Sequence, residues 1–368
     1  MNAKVAPHDW KRLVIKCGTS SLTDESGRLS LPKLWAIGRG VQQLRDRLGA
    51  HVVIVSSGAG ATGRERLGLK LPLTLPEKQA AAAVGQALLM LDWARAVAPL
   101  PVAQLLLTAS DVQDRERYVN ARNTIEASLR LGAVPVINEN DSVATSEIRL
   151  GDNDTLSAWT AYLADADALV ILTDVDGLYD RDPNRHAGAR RIDVVTDLKD
   201  VRALAGGSHD ERGTGGMVTK LRAAEIATKA GIETLIIGGG GAALEALAAG
   251  EVRGTRILAR PHAPARKAWL AQQTPRGQLL VDEGAARALR RGSSLLASGI
   301  TEVSGTFRFG DAVDVLSGTD LLARGLTNFD SPALQRIRGR RSSEFEQILG
   351  SRDFEEVVHR DNLVLLEQ

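Results

Sequence analysis

Leu13-Val14-Ile15-Lys16-Cys17-Gly18-Thr19-Ser20 is an apolar, β-branched run that ends on a lysine and opens into a glycine turn. Such a run reads as a strand buried on both faces, and the glycine marks where it stops. The unit recurs. Further apolar runs lie at 52–55, 102–107, 134–137, 169–172 and 234–237, and helix-period stretches at 31–48, 77–97, 120–131, 156–163 and 218–230. Gly132 and Gly231 stand just past two of these helices, where a left-handed cap belongs. Buried strands alternating with helices predict an α/β fold: a mainly parallel open sheet sandwiched by helices.

The polar motifs then fall into register. Lys16, Ser56-Ser57-Gly58, Asn138-Glu139-Asn140-Asp141, Thr173-Asp174 and Gly238-Gly239-Gly240-Gly241 each follow an apolar run. They therefore belong at the carboxyl ends of parallel strands, the edge along which open α/β sheets bind ligands. Gly213-Thr214-Gly215-Gly216-Met217-Val218-Thr219-Lys220 is a glycine turn that opens a helix, and Lys220 lies one turn into it. Cations and backbone amides at glycine turns suit phosphate oxygens. Gly151-Asp152-Asn153-Asp154 places two acids around an amide, more than a helix cap needs. That surplus suggests a polar constellation holding lysines or a substrate ammonium. Together the motifs read as phosphoryl transfer without a P-loop.

Three other motifs have plainer readings. Gly58-Ala59-Gly60-Ala61-Thr62-Gly63 matches a dinucleotide fingerprint, but it follows the second strand and no strand precedes Glu77, the acid at the right spacing. It reads better as a glycine turn that lets backbone amides approach an anion. Cys17 reads as a small packed residue at a strand end, not a nucleophile. His359-Arg360-Asp361 resembles a kinase catalytic loop with no D-F-G after it, and is expected to be surface tail.

The 368 residues suffice for two domains; 43% are apolar and only 4% aromatic, so the core is expected to be aliphatic. A net charge of +1 makes no general case for nucleic acid or anionic membrane. The single cysteine excludes an intrachain disulfide, and the six scattered histidines show no zinc spacing. Residues 1–10 lack the apolar stretch of a signal peptide and no segment approaches a membrane span, so a cytoplasmic location is expected. From Arg260 the rhythm breaks. The expected domains are a catalytic unit at 1–260, a proline-punctuated linker at 261–275, a small, mostly β domain at 276–352 and a tail at 353–368. Residues 266–368 carry 14 Lys+Arg against 14 Asp+Glu, so the basic cluster Arg336-Ile337-Arg338-Gly339-Arg340-Arg341 reads as solvated surface ahead of a phosphate site.

These motifs, with Asp114-Arg115-Glu116-Arg117-Tyr118-Val119-Asn120-Ala121-Arg122, resemble the amino acid kinase family over residues 12–260. Residues 277–350 resemble a PUA domain, an RNA-associated β-barrel module. The resemblance implies ATP-dependent phosphorylation of the side-chain carboxylate of L-glutamate with Mg²⁺, the first step of proline synthesis from glutamate. It implies Lys16 and Lys220 as phosphate-contacting lysines. Thr173, Asp174 and the turn Thr214, Gly215, Gly216, Met217, Val218, Thr219 and Lys220 would form the ATP site. Ser57, Gly58, Asp141 and Asn153 would form the glutamate site. Asp154, or Asp152 with it, would hold the two lysines, and no residue is assigned to a metal. A homo-oligomer and proline feedback accompany this family, and the PUA-like module raises RNA as a partner. The alternatives are a related kinase acting on another carboxylate or phosphate, and an RNA-binding regulator on a kinase scaffold.

Overall fold

The computed structural model describes residues 10–144, 153–181, 183, 186, 188–201, 216–259, 270 and 273–366. The chain divides into two compact units, Met1–Pro261 and His262–Gln368. No helix among the described residues is long and apolar enough to cross a membrane.

The strands of the first unit are β1 (Arg12–Cys17), β2 (His51–Ser56), β3 (Val102–Leu107), β4 (Val134–Glu139), β5 (Ala168–Thr173), β6 (Leu178–Tyr179), β7 (Arg191–Ile192), β8 (Val194–Val195), β9 (Glu233–Gly238) and β10 (Gly254–Ile257). Its helices are α1 (Thr19–Leu22), α2 (Leu31–Leu48), α3 (Ala59–Leu67), α4 (Leu75–Ala96), α5 (Ala109–Gln113), α6 (Arg115–Arg130), α7 (Asn153–Leu163), α8 (Met217–Lys229) and α9 (Gly240–Ala248). Eight strands form one sheet in the order β3-β4-β2-β1-β5-β9-β10-β8, parallel throughout except for β10 against β9. The six strands read from the sequence are all present. The mainly parallel sheet holds, with the short antiparallel β10 beyond it.

β1 lies at the centre of the order. The chain builds β2, β3 and β4 on one side of it, then crosses to build β5 and β9 on the other. Lys16 sits in register between Val55 and Ile171. Sheets of this kind offer a crevice at the carboxyl ends of strands on either side of such a reversal. The strands there are fully covered: Leu13, Val14, Ile15, Val52 to Val55 and Leu169 to Ile171 are inaccessible. α2 contributes Leu34, Ile37, Val41, Leu44 and Leu48, spaced along one helical face. Each such side chain adds about 1.5–3 kcal/mol of burial free energy.

The glycine-rich segment after β2 departs from the expected turn. Only Gly58 turns the chain, at φ 108°, and a helix runs from Ala59 to Leu67. A Cβ on Gly63 would lie 1.7 Å from the Ala81 carbonyl oxygen, and one on Gly85 would lie 1.8 Å from that of Ala59. Gly63 and Gly85 thus serve the close crossing of α3 and α4. Glu77 closes a capping box with Thr74, accepting from its backbone N–H at 2.8 Å and its hydroxyl at 2.7 Å. That role explains its spacing without a nucleotide.

The second unit contains β11 (Gly277–Val281), β12 (Ile300–Gly305), β13 (Ala312–Ser317), β14 (Asp320–Leu326) and β15 (Leu363–Leu365), with α10 (Glu283–Arg290), α11 (Ser331–Ile337) and α12 (Phe345–Leu349). The strands form one five-stranded sheet in the order β12-β11-β13-β14-β15, around a core that includes Leu279, Phe307, Val313, Val315 and Phe345. The expected strand-rich second domain is present; among the described residues its edge strands do not pair with each other, so the described strands form no closed barrel. The segment expected to be a tail is part of this fold. β15 pairs with β14, Val357 and Val358 are fully buried, and the Leu295 N–H donates to the Val358 carbonyl at 2.8 Å. Two buried valines and a three-residue strand are too short to declare a period against the charged residues between them.

Candidate active site

Lys16 leaves the end of β1, Asp154 is the second residue of α7, and Lys220 lies one turn into α8. The fold joins them. Lys16 Nζ lies 2.7 Å from Asp154 Oδ1, and Lys220 Nζ lies 3.3 Å from Asp154 Oδ2. The Thr219 hydroxyl donates to the same Oδ2 at 2.7 Å. Asp154 is wholly buried and each lysine is 6% exposed. Burial alone would raise the Asp154 pKa, but the two ammonium groups and the donated hydrogen bonds outweigh it and hold the carboxyl below its ordinary range. Among the described residues one anion stands between two cations, a locus fixed in place at the edge where ligands bind. A Cβ on Gly18 would stand 3.0 Å from Lys16 Nζ, so glycine after the strand leaves room for the ammonium.

Beside this locus runs a network of amides and hydroxyls. Asn153 Nδ2 donates to Ser57 Oγ at 2.8 Å, to Asn138 Oδ1 at 3.0 Å and more weakly to the Ser56 carbonyl at 3.3 Å. Asn138 Nδ2 donates to Gln86 Oε1 at 2.9 Å. Trp93 Nε1 donates to Ser56 Oγ at 2.8 Å. The ends of β2 and β4, the start of α7 and the face of α4 are thereby tied together. Asn153 Oδ1 is buried with no hydrogen-bond partner among the described residues, an acceptor open to a ligand. Asp141 follows the end of β4 and lines a pocket with Glu139, Asn140 and Gln86.

Six of the expected residues converge here: Lys16, Ser57, Asn153, Asp154, Thr219 and Lys220 are linked by direct contacts or adjacent positions. Gly58 shapes the turn after β2. Thr173 ends β5, next to β1, and Asp174 follows it, with the threonine hydroxyl donating to Asp174 Oδ1 at 3.0 Å. Gly216 precedes the first turn of α8. Val218 is exposed, whereas Met217 packs against the Leu178 and Ile236 cluster and so has a structural task as well. Asp152, Thr214 and Gly215 lie outside the described residues. Among the described acids Asp154 contacts both lysines. Burial pushes the Cys17 thiol up to about 12, against a smaller opposing pull from Lys16, so it is an inert packing residue.

Gln86, Ser56 and Trp93 were missed as site residues, and Asn138 was noticed only within its motif. Gln86 did leave a trace: it interrupts the buried stripe of Ala82, Leu89 and Trp93 on α4. In the second unit, the Arg336 to Arg341 cluster is engaged locally. Arg336 bonds the Ile348 carbonyl, Ile337 is core and Arg340 lies 3.6 Å from Glu344.

Comparison with known proteins agrees with this geometry. Residues 11–238 match the amino acid kinase family, and residues 277–349 match the PUA domain. Glutamate 5-kinase of Thermus thermophilus is 50% identical over 366 residues, covering 97% of this chain and 98% of that protein. The glutamate 5-kinases of Moorella thermoacetica and Syntrophotalea carbinolica are 48% and 47% identical, covering 99% and 96% of this chain and 98% and 97% of theirs. With the paired lysines, their shared aspartate and the sheet that presents them, the chain belongs to the amino acid kinase family and carries a PUA domain after its kinase unit.

Proposed function

We propose that this chain transfers the γ-phosphoryl group of ATP to the side-chain carboxylate of L-glutamate, giving L-glutamyl 5-phosphate and ADP, the first step of proline synthesis from glutamate. The observation that carries the reading is the Lys16–Asp154–Lys220 bridge at the carboxyl edge of β1. Similarity over nearly the whole length to glutamate 5-kinases supports it.

In the reaction a carboxylate oxygen forms a bond to the γ-phosphorus while the bond to the ADP oxygen breaks. Two anions must meet, and negative charge spreads over the equatorial oxygens as they do. Fixed ammonium groups stabilise that charge without reorganising, and Asp154 fixes both. The acceptor carboxylate is already ionised at neutral pH, so no general base is needed. Thr173, Asp174 and the turn entering α8 would flank the nucleotide; Ser57, Asp141 and Asn153 would hold the amino acid. Asp154 already spends both oxygens on the lysines and is not free to ligate Mg²⁺. The ion typically keeps substrate phosphates and water as ligands, and when bound it would neutralise phosphate charge.

The test is ADP release with glutamate set against aspartate, N-acetylglutamate and UMP. Turnover confined to glutamate is the expected result; preference for another acceptor overturns the substrate, and turnover with none overturns the kinase reading. The proposal extends to a homo-oligomeric cytoplasmic enzyme whose glutamate site also accepts proline. Sedimentation of the purified chain and proline inhibition of ADP release test two of those parts.

A further inference from the structure

The amide network has a direction. Asn138 Oδ1 accepts from the Glu139 backbone N–H at 2.9 Å and from Asn153 Nδ2 at 3.0 Å. A backbone N–H can only donate, so it fixes which end of the Asn138 amide is oxygen. The Asn138 nitrogen must then face Gln86, and Gln86 must answer with its oxygen, at 2.9 Å. This leaves Gln86 Nε2 pointing away from Asn138. It is buried and, among the described residues, without a hydrogen-bond partner, on a residue only 7% exposed. Unpaired buried donors are rare in native proteins and call for an explanation.

Gln86 lines the pocket that also holds Glu139, Asn140 and Asp141. The acids there suit an ammonium group. A carboxylate entering beside them needs a donor, and Gln86 Nε2 is a buried amide nitrogen with its hydrogens unspent among the described residues. Among the described residues Gln86 is linked through Asn138 to Asn153, the residue before Asp154, and so stands a step apart from the lysines where the reacting carboxylate belongs. We infer that Gln86 determines specificity by donating from Nε2 to the carboxylate of the amino acid that does not react. The inference rests on the glutamate reading above.

Three compounds separate the parts of the substrate. Glutamate, glutarate and 4-aminobutanoate all keep the reacting carboxylate; glutarate lacks the ammonium group and 4-aminobutanoate lacks the second carboxylate. Each is measured as a substrate, or as an inhibitor of glutamate turnover where its own turnover is too slow. With Gln86→Met, kcat/KM or inhibitor affinity should fall about 10- to 100-fold for glutamate and glutarate, the worth of a hydrogen bond to a charged group. For 4-aminobutanoate it should stay within about threefold. Gln86→Glu keeps an oxygen for Asn138 and removes the donor, so at pH 8 it should give the same pattern even if Gln86→Met folds poorly. An equal fall for all three compounds would mean that Gln86 merely holds Asn138 in place, and the inference would be lost. If parent protein neither turns over glutamate nor melts higher with it, the glutamate reading falls and takes this one with it. If the parent responds to glutamate and both variants match it, only the inference falls.

Discussion

Asp154→Asn removes one charge and almost no volume from the most buried ion pair of the site. Its carboxylate meets one ammonium group at 2.7 Å and another at 3.3 Å with no solvent access. Taking away one partner of a buried pair leaves uncompensated charge and costs about 3–5 kcal/mol. One kcal/mol moves the melting temperature of a domain this size by about 2–4 °C, so the first unit should melt roughly 6–20 °C lower. An amide also offers one oxygen where the carboxylate offers two, and its nitrogen would face a lysine donor to donor. At least one lysine must leave its place, and turnover should drop about 10²–10³-fold, as when a fixed transition-state contact is lost. The pH dependence has a definite sign. The folded Asp154 pKa is depressed, so the stabilisation is complete above the unfolded carboxyl value near ~3.9 and is lost as pH falls through the folded value. The gap between parent and variant melts should therefore be wide at pH 7, begin to close only below about pH 4, and vanish as pH falls past the folded value. Calorimetry across that range with glutamate-dependent ADP release at pH 7 makes the measurement. A variant that melts within about 2 °C of the parent and keeps its turnover would refute the idea that this carboxylate organises the lysines.

Lys16→Ala and Lys220→Ala should each lower kcat about 10²–10³-fold while changing glutamate affinity far less, because their charges matter most as the phosphoryl group moves; near-parental kcat in a folded variant removes that lysine from the chemistry. Asp141→Ala and Asn153→Ala should mainly raise the glutamate KM and leave that for ATP nearly unaltered. A fall in ATP affinity alone would reverse the assignment of the two substrates. Residues 1–264 expressed alone should melt cooperatively and still release ADP with glutamate, since the residues assigned to chemistry all precede Arg260 and each unit has its own buried cluster; a cooperative melt without activity would mean that the second unit completes the site.

The strand ends could be read from the sequence because burial on both faces leaves an uninterrupted apolar run, and a polar residue after such a run has one place to go. Lys16, Asn138 and Thr173 were found that way. Asp154 was found because two acids beside Asn153 exceeded what a cap requires, but only the fold shows that both lysines reach it. Gln86 and Trp93 stayed hidden because they sit inside a helix, where one amide or indole among alanines and leucines looks like an ordinary lapse in the stripe. The α3 segment reads as a turn in the sequence because its glycines carry two meanings, backbone freedom and close packing, and the partner that decides between them is a separate helix, α4. The segment around Val357 was taken for a tail because its strand is three residues long and owes its place to β14.

The central position of β1 also bears on how the enzyme comes to life. Its lysine is made early in synthesis, while its aspartate and second lysine come from α7 and α8, and Asp154 and Lys220 are themselves 66 residues apart. Contacts between such distant segments form late, after the entropy of closing long loops has been overcome. A ribosome-bound chain that stops short of α8 can compact around its first strands yet has no second cation at the site. On refolding, recovery of helix signal should therefore run ahead of recovered turnover. Activity here is a readout of the last long-range closure in the kinase unit, not of collapse.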